Sequence, residues 1–521
     1  MSWLPETEEL EQRQRWAEAQ GGEEVVARHH QRGYLTVRER IDALLDDASF
    51  KEVGKLTGTG DYAENGDLLG TKPAPYVMGL GRINDRPVAI GGEDFTVRGG
   101  TSWGARRRKG GQGGFIEDLA HNHRIPLVNL VDGAGGTVNS IENRGYSVFP
   151  GIFGFERSVE LLGEVPVATA ALGTAAGGPA GRAILSHFSV MVKGKGAVFA
   201  SGPSVVERAL GEKVDIQELG GAEIAVESSG AVHNLADSEQ ECFQQIRRFL
   251  SFMPQNVWEL PPATKTDDPV ERREDELLSI VPRRRTRPYD MRRLVDLVID
   301  RDSGFEIRPT YGKAVITMLA RLDGRPVGLV ANNPMFYGGA MDAKSSRKQV
   351  HFVELCDTFH IPIVFLVDVP GFMVGVKAER EGALVEGMRA VYAAAQLTVP
   401  TLTLVIRKCY GMAGMAACNK NGLDYKVAWP SAEWGSLPLE GGVAVGFRRE
   451  IQNAADPAAR EKEIEAELRR YTSPFRTAEA FEVEDIIDPR ETRPSLCDFV
   501  ELARNRLKSS VGQRLKAGVR P

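Results

Sequence analysis

Along the 521 residues, polar and apolar positions change period several times. Near the N-terminus, LTVRERIDALL carries apolar residues at helical spacing and Asp46 and Asp47 follow as a stop, so residues 1–48 predict a largely polar helical arm. A glycine-rich stretch from Gly54 to Gly70 comes next, followed by strand-like runs such as PVAIGGEDFTV. The runs PLVNLV, PIVFLV and TLTLVI are apolar on both faces, the pattern of strands covered on both sides in a largely parallel sheet. Such strands alternate with helical patterns, which predicts an α/β fold. The least globular segment runs from Phe252 to Asp290, with six prolines and the charge runs DDPVERREDE and PRRRTRP. Proline fixes φ and removes a donor, so this stretch predicts a linker that wraps or bridges. The expected division is an arm (1–48), an N-terminal domain (49–255), a linker (256–290) and a C-terminal domain (291–521).

The two halves repeat each other. GRINDRPVAIGG, HRIPLVNLVDGAGG and EVPVATAALGTAAGGPAG in the first half are answered by ARLDGRPVGLVANN, FHIPIVFLVDVPGF and LTVPTLTLVIRKCYGMAGMA in the second. Pro87 matches Pro326, Pro126 matches Pro362, Asp132 matches Asp368 and Pro166 matches Pro400, in order and at nearly constant separation. The pattern predicts a duplication of one α/β unit. Two similar but unrelated α/β layers are the alternative.

Glycine and backbone, not polar triads, make up the informative loops. After VATAALG, the residues Gly177-Gly178-Pro179 precede a helical pattern, and proline favours the first helical position. Amides of a first helical turn lack internal acceptors, so Gly177 and Gly178 are candidates for an oxyanion hole. The other reading is a tight turn that needs glycine for its backbone alone. The second half repeats the arrangement at Gly411-Met412-Ala413-Gly414-Met415, and two such turns suit a reaction with two oxyanions to hold. The partner turns are Gly133-Ala134-Gly135-Gly136 and Pro370-Gly371-Phe372, beyond the carboxyl ends of their strands, where α/β sheets bind ligands.

Composition narrows the field. The 65 basic and 71 acidic residues leave a net charge of −6, which argues against a basic nucleic-acid-binding domain but leaves an anionic small molecule open. The five cysteines form no CxxC pair, which reads as reduced thiols in a cytoplasmic protein, and no apolar run is long enough to span a membrane. His29, His30, His121 and His123 read as solvated and His187 as structural. No metal site is expected. The Arg106-Arg107-Arg108-Lys109 cluster suits either phosphate contact or a solvated loop.

The span from about Thr36 to Leu496 resembles the carboxyltransferase β subunit of biotin-dependent acyl-CoA carboxylases, of the propionyl-CoA and methylcrotonyl-CoA carboxylase type. The segments that carry the resemblance include RERIDALLDDASFKEVG, EDFTVRGG, SGPSVVERALGEKVDIQELGGAE, MDAKSSRKQVHFVELCDTFHIPIVFLVDVPGFMVG and VAWPSAEWG. It implies two duplicated crotonase-like domains and an active site formed between the N-domain of one subunit and the C-domain of another. It also implies biotin carried by a partner biotin carboxylase or biotin carboxyl carrier subunit, a coenzyme A thioester as substrate, and a homo-hexamer built as a trimer of dimers. The family's glycine pair falls on Gly177 and Gly178, and its second pair on Met412 and Ala413, as catalytic amides. Gly135, Gly136, Gly371, Phe372, Gly411, Gly414 and Met415 then border the substrate. Met415 stands where propionyl-type enzymes carry an acid, which implies a more apolar acyl pocket; packing of Met415 into the core is the alternative. A biotin-dependent decarboxylase α subunit, or a scaffold without activity, are the competing functions.

Overall fold

The computed structural model describes residues 2–101, 109–110, 114–136, 141, 145–147, 155–417 and 424–514. The chain divides into two compact units, residues 1–257 and 258–521. Each is built around an eight-stranded mixed sheet.

In the first unit the strands are β1 (Lys51–Glu52), β2 (Tyr76–Ile83), β3 (Arg86–Glu93), β4 (Leu127–Gly133), β5 (Val167–Ala176), β6 (Phe188–Val192), β7 (Ala197–Phe199) and β8 (Asn234–Ala236). They lie in the order β1-β2-β3-β4-β5-β6-β8, with β7 paired to the far end of β5. The hairpin side is antiparallel and everything from β3 onward is parallel. In the second unit β9 (Phe305–Glu306), β10 (Val315–Leu322), β11 (Arg325–Asn332), β12 (Ile363–Val369), β13 (Thr401–Tyr410), β14 (Asp424–Ala428), β15 (Glu433–Gly435) and β16 (Asp485–Ile486) repeat that plan strand for strand. Every position of β4 and of β12 is buried, as their unbroken apolar runs predict.

The repeat reaches further back than the sheet. The N-terminal segment holds α1 (Leu4–Glu18), α2 (Glu23–Gln31) and α3 (Val37–Leu44). The first two are mostly exposed, but α3 buries Val37, Arg40, Ile41 and Leu44 and begins with a capping box from Thr36 and Glu39. Its counterpart is α4 (Met291–Val298), capped by Asp290. Just beyond α3, the Asp46 carboxylate accepts the N–H groups of Asn84 and Asp85 at 3.0 and 2.8 Å, strapping the segment to the β2–β3 hairpin. Beyond α4, Asp300 accepts those of Asp323 and Gly324 at 3.0 and 2.7 Å in the same way. Residues 258–290, apart from a short turn of helix at Asp275–Leu278, run without regular structure along the second unit. Arg272 there donates to the Leu297 and Ile299 carbonyls at 2.9 and 2.7 Å.

His187 is structural: its Nδ1 accepts the Val167 N–H at 3.0 Å, its Nε2 lies 2.9 Å from the Leu162 carbonyl, and burial pulls its pKa down to about 4. His29 departs from expectation. It is 8% exposed, bonds the Leu35 carbonyl and stacks on Tyr34, because the chain folds α2 back over the start of α3. Cys242, Cys356, Cys409 and Cys497 are free thiols, and all but Cys409 are buried. Among the described residues no helix is long and apolar enough to cross a membrane.

Candidate active site

Strand β5 ends at Ala176 and Gly177 turns the chain with φ 60° into α5 (Gly178–Ile184). Strand β13 ends at Tyr410 and Gly411, also at φ 60°, turns it into α6 (Gly411–Ala417). Only glycine adopts this left-handed turn at little cost, so both strands can hand over to a helix without a break. Gly411 is thus the backbone counterpart of Gly177, Met412 of Gly178 and Ala413 of Pro179.

No side chain caps the first of these turns. Among the described residues the Gly178 N–H meets no acceptor, nor do those of Gly411, Met412 and Ala413. Gly177 behaves differently from the expected donor. Because β7 pairs with the end of β5, its last carbonyl, that of Phe199, takes the Gly177 N–H at 3.3 Å. Of the four expected catalytic amides, those of Gly178, Met412 and Ala413 therefore keep no described acceptor, with Met412 exposed and Ala413 buried, and Gly177 acts as the turn.

The partner turns meet their neighbours differently. A Cβ at Gly135 would stand 2.6 Å from the Ala176 carbonyl oxygen, so the turn after β4 lies directly against the turn after β5; Gly136 beside it is open. In the second unit, Met341 bridges to Phe372, and the Phe372 ring rests on Gly387, where a Cβ would come within 2.7 Å of it. Gly371 stays open, and Gly414 lies over the Cys409 sulfur. Met415 is 60% and Met412 45% exposed, which rules out the core-packing alternative for Met415. Arg106, Arg107 and Arg108 lie outside the described residues. Lys109 faces Glu52 at 3.8 Å, and burial pulls its pKa down to about 8.

Behind each turn sits a buried carboxylate at a register break. Val131 partners Ala171 but Gly133 partners Ala175; Val367 partners Val405 but Val369 partners Cys409. The residues spanning the breaks are Asp132 and Asp368. Asp132 receives Arg40 at 2.8 Å, and the same guanidinium holds Glu239 at 2.8 and 3.0 Å. Asp368 receives Arg407 at 2.9 Å and the Lys408 N–H at 3.2 Å. Burial pushes the Asp132 carboxyl up, and Arg40 opposes it. The backbone N–H of each aspartate is held by the last residue of the preceding strand, Glu93 at 3.4 Å and Asn332 at 3.1 Å. Sequence reasoning passed over Arg40, Glu93, Arg182 and Arg407. The repeat carried a signal for two of them, since Arg40 aligns with Leu294 and Gly173 with Arg407.

Two α/β units on one plan each carry, at a strand-to-helix turn, N–H groups with no acceptor among the described residues, an arrangement chemically suited to oxyanions. The model of the carboxyl transferase domain matches residues 28–516, and the chain belongs to that family. It is 34% identical to the propionyl-CoA carboxylase carboxyltransferase subunit of Haloferax mediterranei over 96% of each chain. It is 35% identical to the methylmalonyl-CoA carboxyltransferase 12S subunit of Propionibacterium freudenreichii subsp. shermanii, over 95% of this chain and 93% of that one. Its fold matches a transcarboxylase 12S crystal structure, described as a hexamer assembly with methylmalonyl-coenzyme A and methylmalonic acid bound, with a TM-score of 0.88 and 33% identity over 100% of this chain and 99% of that one. The duplicated units are crotonase-like domains, and the chain is an enzyme of carboxyl transfer.

Proposed function

We propose that the chain is the carboxyltransferase component of an acyl-CoA carboxylase, placing the carboxyl group of carboxybiotin on the α (or vinylogous γ) carbon of an acyl-CoA such as propionyl-CoA. The observation that carries this reading is the pair of glycine turns at which the N–H groups of Gly178 and of Met412 and Ala413 meet no acceptor among the described residues. Two separate carbonyl oxygens require stabilisation in such a transfer, one on the thioester as it becomes an enolate and one on the ureido ring. Gly178 suits the first, and Met412 with Ala413 the second. Biotin, borne by a partner biotin carboxylase or carrier subunit, supplies the carboxyl group and the base, so no side-chain nucleophile is required of this chain. Gly135, Gly136, Gly371, Phe372, Gly411, Gly414 and Met415 form the surroundings of the two turns. The exposed thioethers of Met412 and Met415 favour an acyl group longer or more branched than propionyl. The transcarboxylase 12S structure, described as a hexamer assembly, supports an assembly of six chains, which we read as a trimer of dimers. The free thiols support a reducing, cytoplasmic setting.

The test uses the full chain, free biotin and a series of carboxylated and uncarboxylated acyl-CoA thioesters, following exchange of labelled CO2. Biotin-dependent exchange that grows with acyl size is the expected result. A folded protein with no biotin-dependent exchange on any thioester would reject the reading, and a sharp preference for acetyl-CoA would reject its account of the pocket. Co-purification with a biotin-bearing carboxylase chain, not with an integral-membrane partner, separates carboxylation from decarboxylation.

A further inference from the structure

We propose that the buried ion pair between Arg182 and Glu93 is a positioning device that aims the Gly178 N–H relative to the turn after β4; the inference rests on the carboxyl-transfer reading above. Arg182 lies in α5, the helix whose first residue is Gly178, and is 2% exposed. Its Nη2 bonds Glu93 Oε1, and its Nη1 bonds the Tyr76 hydroxyl at 3.3 Å. The other carboxylate oxygen of Glu93 accepts the Asp132 N–H at 3.4 Å. Glu93 also packs against the turn itself, since a Cβ at Gly133 would come within 2.8 Å of its Cγ. One guanidinium–carboxylate contact therefore spans from the helix that presents Gly178 to the turn that presents Gly135 and Gly136.

Two physical arguments make this more than packing. A helix of seven residues, without a side-chain cap, has no stability of its own, so its orientation is set by tertiary contacts. A buried ion pair is, moreover, a poor choice for stability alone, because apolar residues of similar volume do as well without the desolvation cost. Here that cost is only partly offset, as among the described residues the buried Arg182 Nε has no hydrogen-bond partner. Geometry is what the pair contributes: a fork of fixed shape holds direction as well as distance. The second unit lacks the device. Asn332 serves the Asp368 N–H, and the position of Arg182 is taken by the buried Ala416.

The experiment measures biotin-dependent turnover of methylmalonyl-CoA by the full-length protein, with melting temperature read alongside. In the double variant Glu93→Gln/Arg182→Met, kcat falls by about 10- to 100-fold while KM and melting temperature stay near wild type. Arg182→Lys, which keeps the charge but loses the fork, recovers only part of that loss. A folded double variant with wild-type kcat overturns the proposal, as does a loss confined to melting temperature. Should the double variant fail to fold, Arg182→Lys decides: lowered kcat at unchanged melting temperature supports the proposal, and wild-type kcat overturns it. Wild-type protein without biotin-dependent turnover rejects the carboxyl-transfer reading instead, and the inference falls with it.

Discussion

Asp132 and Asp368 occupy the same place in the two units, at the same break in strand register, and are neutralised from opposite directions. In the first unit the cation comes from α3: Arg40 reaches in from a helix far off in sequence, and Gly173 on β5 leaves room, since a Cβ there would lie 2.1 Å from Asp132 Oδ1. In the second unit the strand supplies its own cation, Arg407, at the position of Gly173, and the position of Arg40 is filled by Leu294, fully buried in the core. What the fold requires at this point is a charge-balanced carboxylate; which element brings the balancing charge is free to vary, provided the opposite position shrinks or turns apolar.

The largest expected effect comes from removing one cation. Arg40→Leu strands two buried acids, Asp132 and Glu239, and lowers unfolding stability by about 3–5 kcal/mol in urea titration. Arg407→Leu costs less, because Lys408 stays within 3.7 Å of Asp368. Importing the second unit's solution sharpens the comparison: Arg40→Leu/Gly173→Arg/Glu239→Gln regains most of the loss, whereas Arg40→Leu/Glu239→Gln does not.

The turns themselves come next. Gly178→Pro and Met412→Pro each delete an N–H that has no acceptor among the described residues, within a first helical turn, where proline is tolerated. Each is expected to lower kcat by about 100- to 1,000-fold with the fold retained by circular dichroism. Unequal losses would show that the two oxyanions differ in how much they depend on the protein.

The units also separate by pH. His187 has its folded pKa depressed to about 4, so between that value and its ordinary 6.5 the unfolded chain binds more protons. Its contribution is present above pH 6.5 and is lost as pH falls toward 4, about 3 kcal/mol in all. In the second unit the buried Lys348 amine has no hydrogen-bond partner among the described residues, with Glu306 3.9 Å away, and burial pulls its pKa down to about 7. Stability therefore rises with pH from about 7 toward 10.5. His187→Gln should flatten the acid limb of the stability–pH curve and Lys348→Met the alkaline limb, each leaving the other in place. The smallest effect is on selectivity: Met415→Asp should move kcat/KM toward short acyl chains by about 10-fold, about 1.4 kcal/mol, with little change in stability.

Much of this was legible in the residues. Unbroken apolar runs identified β4, β12 and β13, and the spaced prolines and aspartates exposed the duplication, because strand starts and register breaks are tied to single residues. Glycine pairs before a helix pointed to the amide turns. The rest depended on distance in space. Nothing local to Gly177 shows that Phe199 claims its N–H, since that follows from the pairing of β7 with β5. Arg40 read as a charge on a polar arm because its partners, Asp132 and Glu239, come from remote segments. Glu93 and Arg182 read as unremarkable charges for the same reason.

The route by which Arg40 arrives also decides where the chain can be cut. A fragment beginning at residue 49 would keep every strand of the first sheet yet leave Asp132 and Glu239 without their common cation. A fragment of the second unit carries Arg407 within β13 and takes its counter-charge along. Split versions of this protein therefore need the first piece to begin before Thr36.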